Sequence, residues 1–232
     1  LRNEAKILIF SKLAGPTFLG LFNKAESLSR LPNQLLMSPT MDPLFRGMSK
    51  VQDDPDQVKY LYLRAITLLT AYTVPVYVML WWIAEPFIAV VYGPKWVAAG
   101  EPMSILAIAG IFLNVVFPTG VLLAARNRLG LEMAAQGLNL LVVAAAAAIG
   151  LRWGLVGAAW GIVASQATLA LHLGLTVPRV LPVRGSDFVR ALAPGLTLGA
   201  LMLAVLAAVH ASLVHSGLTA RLPYLLVMSL FG

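Results

Sequence analysis

The sequence lacks cysteine and is poor in charge. With no cysteine among 232 residues, disulfide bonds and thiol catalysis are excluded. Charged residues make up 12% of the chain, against roughly a quarter in ordinary globular domains. Hydrophobic residues make up 59%, mean hydropathy is +0.82, and several apolar runs reach the roughly 20 residues that cross a bilayer. These values predict an all-α fold, a polytopic transmembrane helical bundle.

Catalytic and metal-binding patterns are also missing from the sequence. It contains no nucleophile elbow, no Walker phosphate loop and no paired-carboxylate site. His172, His210 and His215 have no Asp or Glu at ligand spacing, and helix capping explains the acidic turn at 53–56. We therefore expect neither an enzyme nor a bound metal or cofactor.

The basic residues are concentrated in and beside the predicted loops. A net charge of +7 is typical of membrane proteins, whose cytoplasmic loops are enriched in Lys and Arg, so we expect no nucleic-acid partner. Basic residues cluster at 46–64, 126–128 and 179–190. The intervening loops carry only Lys95, Arg152 and Arg221. The first set is therefore predicted to be cytoplasmic and the second to face outward.

Turn signals divide the chain into eight apolar segments. Asp54-Pro55 is a strong helix start, since Asp caps and Pro suits the first helical position. The chain begins without Met and ends within an apolar run, so we expect residues 1–232 to be a fragment of a longer protein. The predicted helices are approximately 1–13 (partial), 20–50, 58–92, 101–125, 131–150, 154–177, 187–210 and 218–232 (partial).

The best pointer to function is a polar stripe on the second segment. At helical spacing one face carries Asn23, Ser27, Arg30, Gln34 and Ser38, and Glu26 and Asn33 lie on its flank. The opposite side carries Leu21, Ala25, Leu28, Leu35 and Leu36. In a membrane, such a stripe must face other helices or a water-filled cavity.

Two interpretations of the stripe remain open. Its amides and hydroxyls could bond across the bundle, and Glu26 and Arg30, four residues apart in the favourable order, could neutralise each other. Alternatively, the stripe lines a cavity. Lys24, with Lys6 and Lys12 before it, could then form a cationic patch suited to an anionic head group such as a diphosphate.

Other features have ordinary interpretations. Gly157, Gly161 and Ser165 form a row of small residues that permits close helix packing. Glu85 is predicted near the outer surface, where an interfacial position and an ion or proton site are both possible.

Three stretches carry a resemblance to a known family. They are AKILIFSKLAGPTFLGLFNKAESLSRLPNQLL, LFRGMSKVQDDPDQVKYLYLRA and AEPFIAVVYGPKW, and a weaker G-x-x-G-A-A-W pattern follows at 154–160. Their order resembles the polysaccharide-transporter branch of the multidrug/oligosaccharidyl-lipid/polysaccharide exporter superfamily. These proteins are flippases for lipid-linked O-antigen and exopolysaccharide units. The resemblance covers most of residues 4–100.

The resemblance implies a fold of two helical lobes, an inverted V around a central cavity with alternating access, of which this chain is the C-terminal lobe. It implies that Lys12, Lys24 and Arg30 contribute to a cationic lumen for an undecaprenyl-diphosphate oligosaccharide, although Glu26 departs from a purely cationic lining. It also implies a multi-pass protein of the bacterial inner membrane that works with glycosyltransferases and a polysaccharide polymerase. The alternatives are a cation-coupled drug exporter, with Glu26 or Glu85 as its carboxylate, and a membrane enzyme of polysaccharide assembly such as a polymerase or ligase.

Overall fold

The computed structural model describes residues 2–215, with side chains from residue 15 onward except at 147, 213 and 214. Within this part the chain is helical and has no strand. The predicted segment 218–232 lies outside the described residues. The α-helices are α1 (Arg2–Ser29), α2 (Ser38–Lys50), α3 (Pro55–Tyr92), α4 (Gly100–Ala125), α5 (Leu129–Gly150), α6 (Gly154–Thr176) and α7 (Gly185–His215).

Four stretches of the described chain are long and apolar enough to span a membrane. They are Pro55–Tyr92, Pro94–Ala125, Leu129–Arg179 and Gly185–Ser212. The third has 51 residues and is folded as a hairpin, because α5 and α6 pack together on either side of a break at 151–153. The prediction of an all-α, multi-pass membrane protein is confirmed.

Local chemistry explains where the helices start and break. The Asp54 carboxylate caps α3 by accepting hydrogen bonds from the Asp56 and Gln57 backbone N–H groups at 3.0 and 3.1 Å. The Gln57 bond is the main reason why the pKa of Asp54 is lowered. In α1, where the sequence predicted a gap between 13 and 20, the non-helical backbone is confined to Gly15, whose φ of 82° favours glycine.

A π-helical turn, Asn33–Met37, joins the stripe segment to α2. A π turn accommodates one extra residue. The residues after it are therefore turned by about 100° relative to a continuous α-helix, and a different set of side chains meets the core. The buried row after this turn is Met37, Met41, Leu44 and Met48, all buried or half-buried. Leu35 and Leu36, which the sequence places on the side opposite the stripe, are 71% and 37% exposed.

Buried hydrogen bonds fasten α3, the longest helix, to α4. The Tyr62 hydroxyl lies 2.7 Å from the Thr119 hydroxyl, and the Thr73 hydroxyl donates to Asn114 Oδ1 at 2.8 Å. Apolar side chains surround these pairs, with one cluster at each end of the bundle and a third between α4, α5 and α6. Helix α3 therefore supports the bundle along most of its length.

Small residues allow two helix pairs to approach closely. On α6, a Cβ at Gly157 would lie 2.2 Å from the Gly150 carbonyl oxygen, and one at Gly161 would lie 2.9 Å from the Ala146 carbonyl oxygen. Ser165 continues this row by donating to Asn139 Oδ1 at 2.9 Å. On α7, a Cβ at Gly195 would meet the Thr70 backbone at 2.5 Å, a contact that the sequence pattern had not predicted.

The loops predicted to be cytoplasmic meet at one end of the bundle. Arg126, in the turn after α4, donates to the Gln52 carbonyl in the turn before α3. The Lys59 ammonium donates to the Pro182 carbonyl at 2.9 Å and pairs with Asp187 at 2.8 Å. These contacts draw the three basic loops together, which fits their placement on one side of a membrane.

Candidate functional site: a polar helix face and a charge pair at its edge

The stripe faces away from the body of this lobe. Asn23, Ser27, Gln34 and Ser38 are exposed, whereas Phe22, Ala25 and Leu28 of the same helix lie in the core. Gln34 lies within the π-helical turn and Ser38 directly follows it. Both side chains remain exposed on the outward side. The result is an outward polar face along α1 and the start of α2.

A charge pair lies at the edge of this outward face. The Arg30 guanidinium donates to the Glu26 carboxylate with an N–O distance of 2.6 Å. The Arg30 side chain is 37% exposed and the Glu26 side chain 11% exposed. Glu26 therefore lies on the inner side of the pair, and Arg30 presents part of its guanidinium to the polar face. Pairing is what makes a carboxylate tolerable at such a buried position.

Behind the pair, a small pocket with a mixed polar and apolar lining reaches into the bundle. Its volume is about 30 Å³, and its lining includes Glu26, Ser29, Arg30, Tyr77 and Gln166. Among the described residues, neither the Tyr77 hydroxyl nor Gln166 Oε1 has a hydrogen-bond partner, although both atoms are buried. A volume of this size matches about one water molecule, which can bridge such groups.

Sequence reasoning missed both Tyr77 and Gln166. Gln166 was visible as a lone amide within an apolar span, which is a usable signal. Tyr77 gave no such signal, because a tyrosine in a long apolar helix most often packs in the core. Its position depends on α4: a Cβ at Gly110 would lie 2.2 Å from the Tyr77 ring.

Lys24 does not join the charge pair. Its ammonium lies 3.7 Å from the centroid of the Tyr92 ring and 5.7 Å from that of Trp96, at the end of the bundle opposite the basic loops. Lys24 is about 9 Å along the helix axis from Arg30. The two aromatic rings stabilise the cation and hold it near the predicted outer surface.

The predicted site residues thus divide into four groups. Glu26 and Arg30 are in direct contact. Asn23, Ser27 and Gln34 share the outward face with Arg30, whereas Asn33 is buried in the π-helical turn. Lys24 is held by aromatic rings. The side chain of Lys12 lies outside the described residues.

This arrangement is suited to binding a large anion that keeps part of its hydration shell. A guanidinium offers forked donors that match phosphate oxygens, and the neighbouring amides and hydroxyls can donate to a diphosphate or a sugar. Because Glu26 neutralises part of the charge, the anion must compete with a carboxylate for Arg30. The face is therefore suited to reversible binding.

Comparison with known proteins identifies similar chains. Residues 1–101 match the family described as "Polysaccharide biosynthesis protein". A membrane protein in the cps region of Klebsiella pneumoniae is 26% identical over 164 residues, 70% of this chain and 34% of that protein. The lipopolysaccharide biosynthesis protein WzxC of Escherichia coli K12 is 23% identical over 132 residues, 57% of this chain and 27% of that one. The succinoglycan biosynthesis transport protein ExoT of Rhizobium meliloti is 24% identical over 106 residues, 46% of this chain and 22% of that one.

A solved structure shares the fold. The lipid II flippase MurJ, in an inward closed conformation, superposes with a TM-score of 0.74 over 99% of this chain and 50% of its own, at 18% identity. The aligned regions make up between 22% and 34% of the lengths of the three curated relatives named above. The resemblance to polysaccharide-transport proteins, inferred from residues 4–100, is confirmed, and the chain shares its fold with about half of the MurJ structure.

Proposed function

We propose that this chain is the C-terminal lobe of a flippase that moves lipid-linked oligosaccharides, carried on undecaprenyl diphosphate, across the bacterial inner membrane. The main observation that supports this proposal is the outward polar face of α1 and α2, with the Glu26–Arg30 pair at its edge. The pair packs against Tyr77, Leu106 and Gln166 of three helices that are long and apolar enough to span a membrane, and charged residues at that depth mark substrate pathways by default. Similarity to a succinoglycan transport protein and the flippase fold support the same substrate class.

In the proposed mechanism, the second lobe closes the other side of a central cavity. Arg30 exchanges part of its contact with Glu26 for a phosphate oxygen, while Asn23, Ser27 and Gln34 bond to the remaining polar groups. The lipid chain stays in the bilayer. The two lobes rock against each other, opening the cavity to the cytoplasm and then to the outer side. The protein performs transport and no covalent chemistry, and it works alongside the glycosyltransferases and polymerase of polysaccharide synthesis.

The alternatives have less support. A cation-coupled drug exporter needs a carboxylate available to a cation, but Glu26 is engaged by Arg30 and Glu85 is exposed toward the predicted outer end. A polymerase or ligase is expected to carry a large external loop with Arg or His residues. The segments that join the described helices are short.

Complementation tests the proposal. The full-length gene, placed in a strain that lacks its own polysaccharide flippase, should restore surface polymer. The double variant Glu26→Gln/Arg30→Gln removes both charges without leaving one unpaired, so its membrane level should stay near wild type while surface polymer falls at least tenfold. Arg152→Gln is the matched control, because this exposed cation lies in a turn outside the polar face.

Polymer restored equally by the double variant and by wild type would overturn the site assignment. If full-length protein reaches the membrane of strains with several different polymers and restores none of them, the transport proposal itself fails.

A further inference from the structure

Two crevices meet on α3 at Arg64, away from the outward polar face. One, of about 490 Å³, lies between α3 and α7 at the end that carries the basic loops. The other, of about 410 Å³, lies between α2 and α3. Arg64 lines both. The proposed function uses neither crevice.

The first crevice is basic. Three cations line it, Lys59, Arg64 and Arg190. Lys59 is already engaged by the Asp187 carboxylate and the Pro182 carbonyl. Arg64 and Arg190 are exposed, and neither has an ion-pair partner among the described residues. Two guanidiniums thus face one space at the predicted cytoplasmic surface, with Asp56 at its rim as the remaining acid.

The second crevice is apolar. Its lining is dominated by aliphatic and aromatic carbon from Leu36, Pro43, Leu44, Leu61, Leu68, Leu69 and Tyr72. Along α3, Tyr60, Arg64, Leu68 and Tyr72 follow one another at four-residue spacing and are all exposed. This row changes from basic to apolar over about 18 Å, given the 1.5 Å rise per residue. Tyr60, at the basic end of the row, suits a membrane interface, where tyrosines are enriched.

We propose that these crevices bind one anionic phospholipid of the cytoplasmic leaflet. Its phosphate lies between Arg64 and Arg190, and an acyl chain follows Leu61, Leu68 and Tyr72 into the apolar crevice. Guanidinium groups match phosphate oxygens in forked geometry, and the cytoplasmic leaflet supplies negatively charged head groups beside such residues. A lipid satisfies both halves of the site, whereas a free phosphate leaves the apolar half unused.

Lipid titration of the full-length protein tests this proposal. The protein is purified in a neutral detergent, and phosphatidylglycerol or phosphatidylcholine is added while bound lipid is counted by native mass spectrometry. We expect wild type to retain one phosphatidylglycerol at least tenfold more tightly than phosphatidylcholine. Arg64→Gln/Arg190→Gln should lose this preference. Arg128→Gln/Arg179→Gln is the matched control, because it removes two exposed loop cations that do not line either crevice.

A second variant tests the apolar half. Leu68→Trp fills the crevice beside Arg64 and keeps both guanidiniums, so it should weaken retention of phosphatidylglycerol at least fivefold while the helical circular-dichroism signal is unchanged.

Three results would overturn the proposal. Wild type without preference for phosphatidylglycerol would mean that Arg64 and Arg190 do not form a lipid-selective site. Equal losses in the two double variants would indicate general surface charge. Displacement of the bound lipid by undecaprenyl diphosphate, at equal concentration, would assign the crevices to the transported lipid instead.

Discussion

At the scale of single residues, the informative feature is that an ion pair is placed at the border between polar and apolar surroundings. Arg30 alone would leave a cation on a helix that packs in a membrane, and Glu26 alone would leave a buried carboxylate. The pair is part-buried, and the loss of one partner costs more the deeper the remaining charge lies. Under the proposed function, the pair is a neutral unit that opens when an anion competes for the guanidinium. The same logic explains why the double variant, and no single one, separates function from folding.

The Tyr77 side of the small pocket behind this pair depends on one glycine, Gly110. Gly110→Ala would bring a Cβ to 2.2 Å from the Tyr77 ring, so the ring or the helix must shift. We expect this change to destabilise the full-length protein by about 1–3 kcal/mol, the usual cost of overpacking a core. The effect is measured as a lower midpoint of thermal unfolding in detergent.

Gly137→Ala provides the control for that measurement. Gly137 lies in α5, and a Cβ there meets nothing within 4 Å. Alanine is about 1 kcal/mol more favourable than glycine inside a helix, so this variant should match or exceed wild type. Equal midpoints for Gly110→Ala and Gly137→Ala would show that Tyr77 does not depend on close contact with α4.

At the scale of helices, the sequence predicted most elements but not the change of register between α1 and α2. The start of α3 could be predicted within three residues, 58 against 55, because Asp54-Pro55 carries its own capping chemistry. The outward face could be predicted because its polar residues recur at helical spacing. The π-helical turn could not, since its sequence, NQLLM, has no local signature and the turn is favoured by packing of Met37 and Met48 in the core. The Tyr77–Gly110 contact also required the fold, because those residues belong to different helices.

This interpretation of the π-helical turn predicts an asymmetric response to deletion. Removing Leu35, which is 71% exposed, should convert the turn to α-helix and leave Met37, Met41 and Met48 in the core register. Removing Ser27 from regular helix should instead rotate one side of α1 by about 100° and move core residues outward. We expect the Leu35 deletion to accumulate in the membrane near the wild-type level and the Ser27 deletion to fall at least fivefold, measured by quantitative blotting of full-length protein. Similar losses from both deletions would contradict the extra-residue account of the turn.

At the scale of the whole molecule, the described chain exposes two surfaces of opposite character. Helix α7 exposes Leu196, Leu201 and Val205, at 53%, 61% and 50%, as expected of a surface that meets lipid. The outward face of α1 exposes Asn23, Ser27 and Gln34. Exposure alone does not distinguish lipid from water, but the chemistry of the side chains does. A lobe with one lipid-facing and one polar side is what a cavity between two lobes requires.

Cysteine accessibility distinguishes these surfaces directly. In a full-length protein whose native cysteines are replaced, Ser27→Cys and Gln34→Cys should react with a membrane-impermeant maleimide, because the proposed cavity contains water that ionises the thiol. Leu201→Cys should react at least tenfold more slowly, since a thiol in hydrocarbon stays protonated and out of the reagent's reach. If access alternates, the labelling of Ser27→Cys from each side of the membrane should change in opposite directions when a conformation is trapped by cross-linking the two lobes. Equal, slow labelling at all three positions would mean that the polar face packs against protein, which is the structural interpretation that the sequence left open.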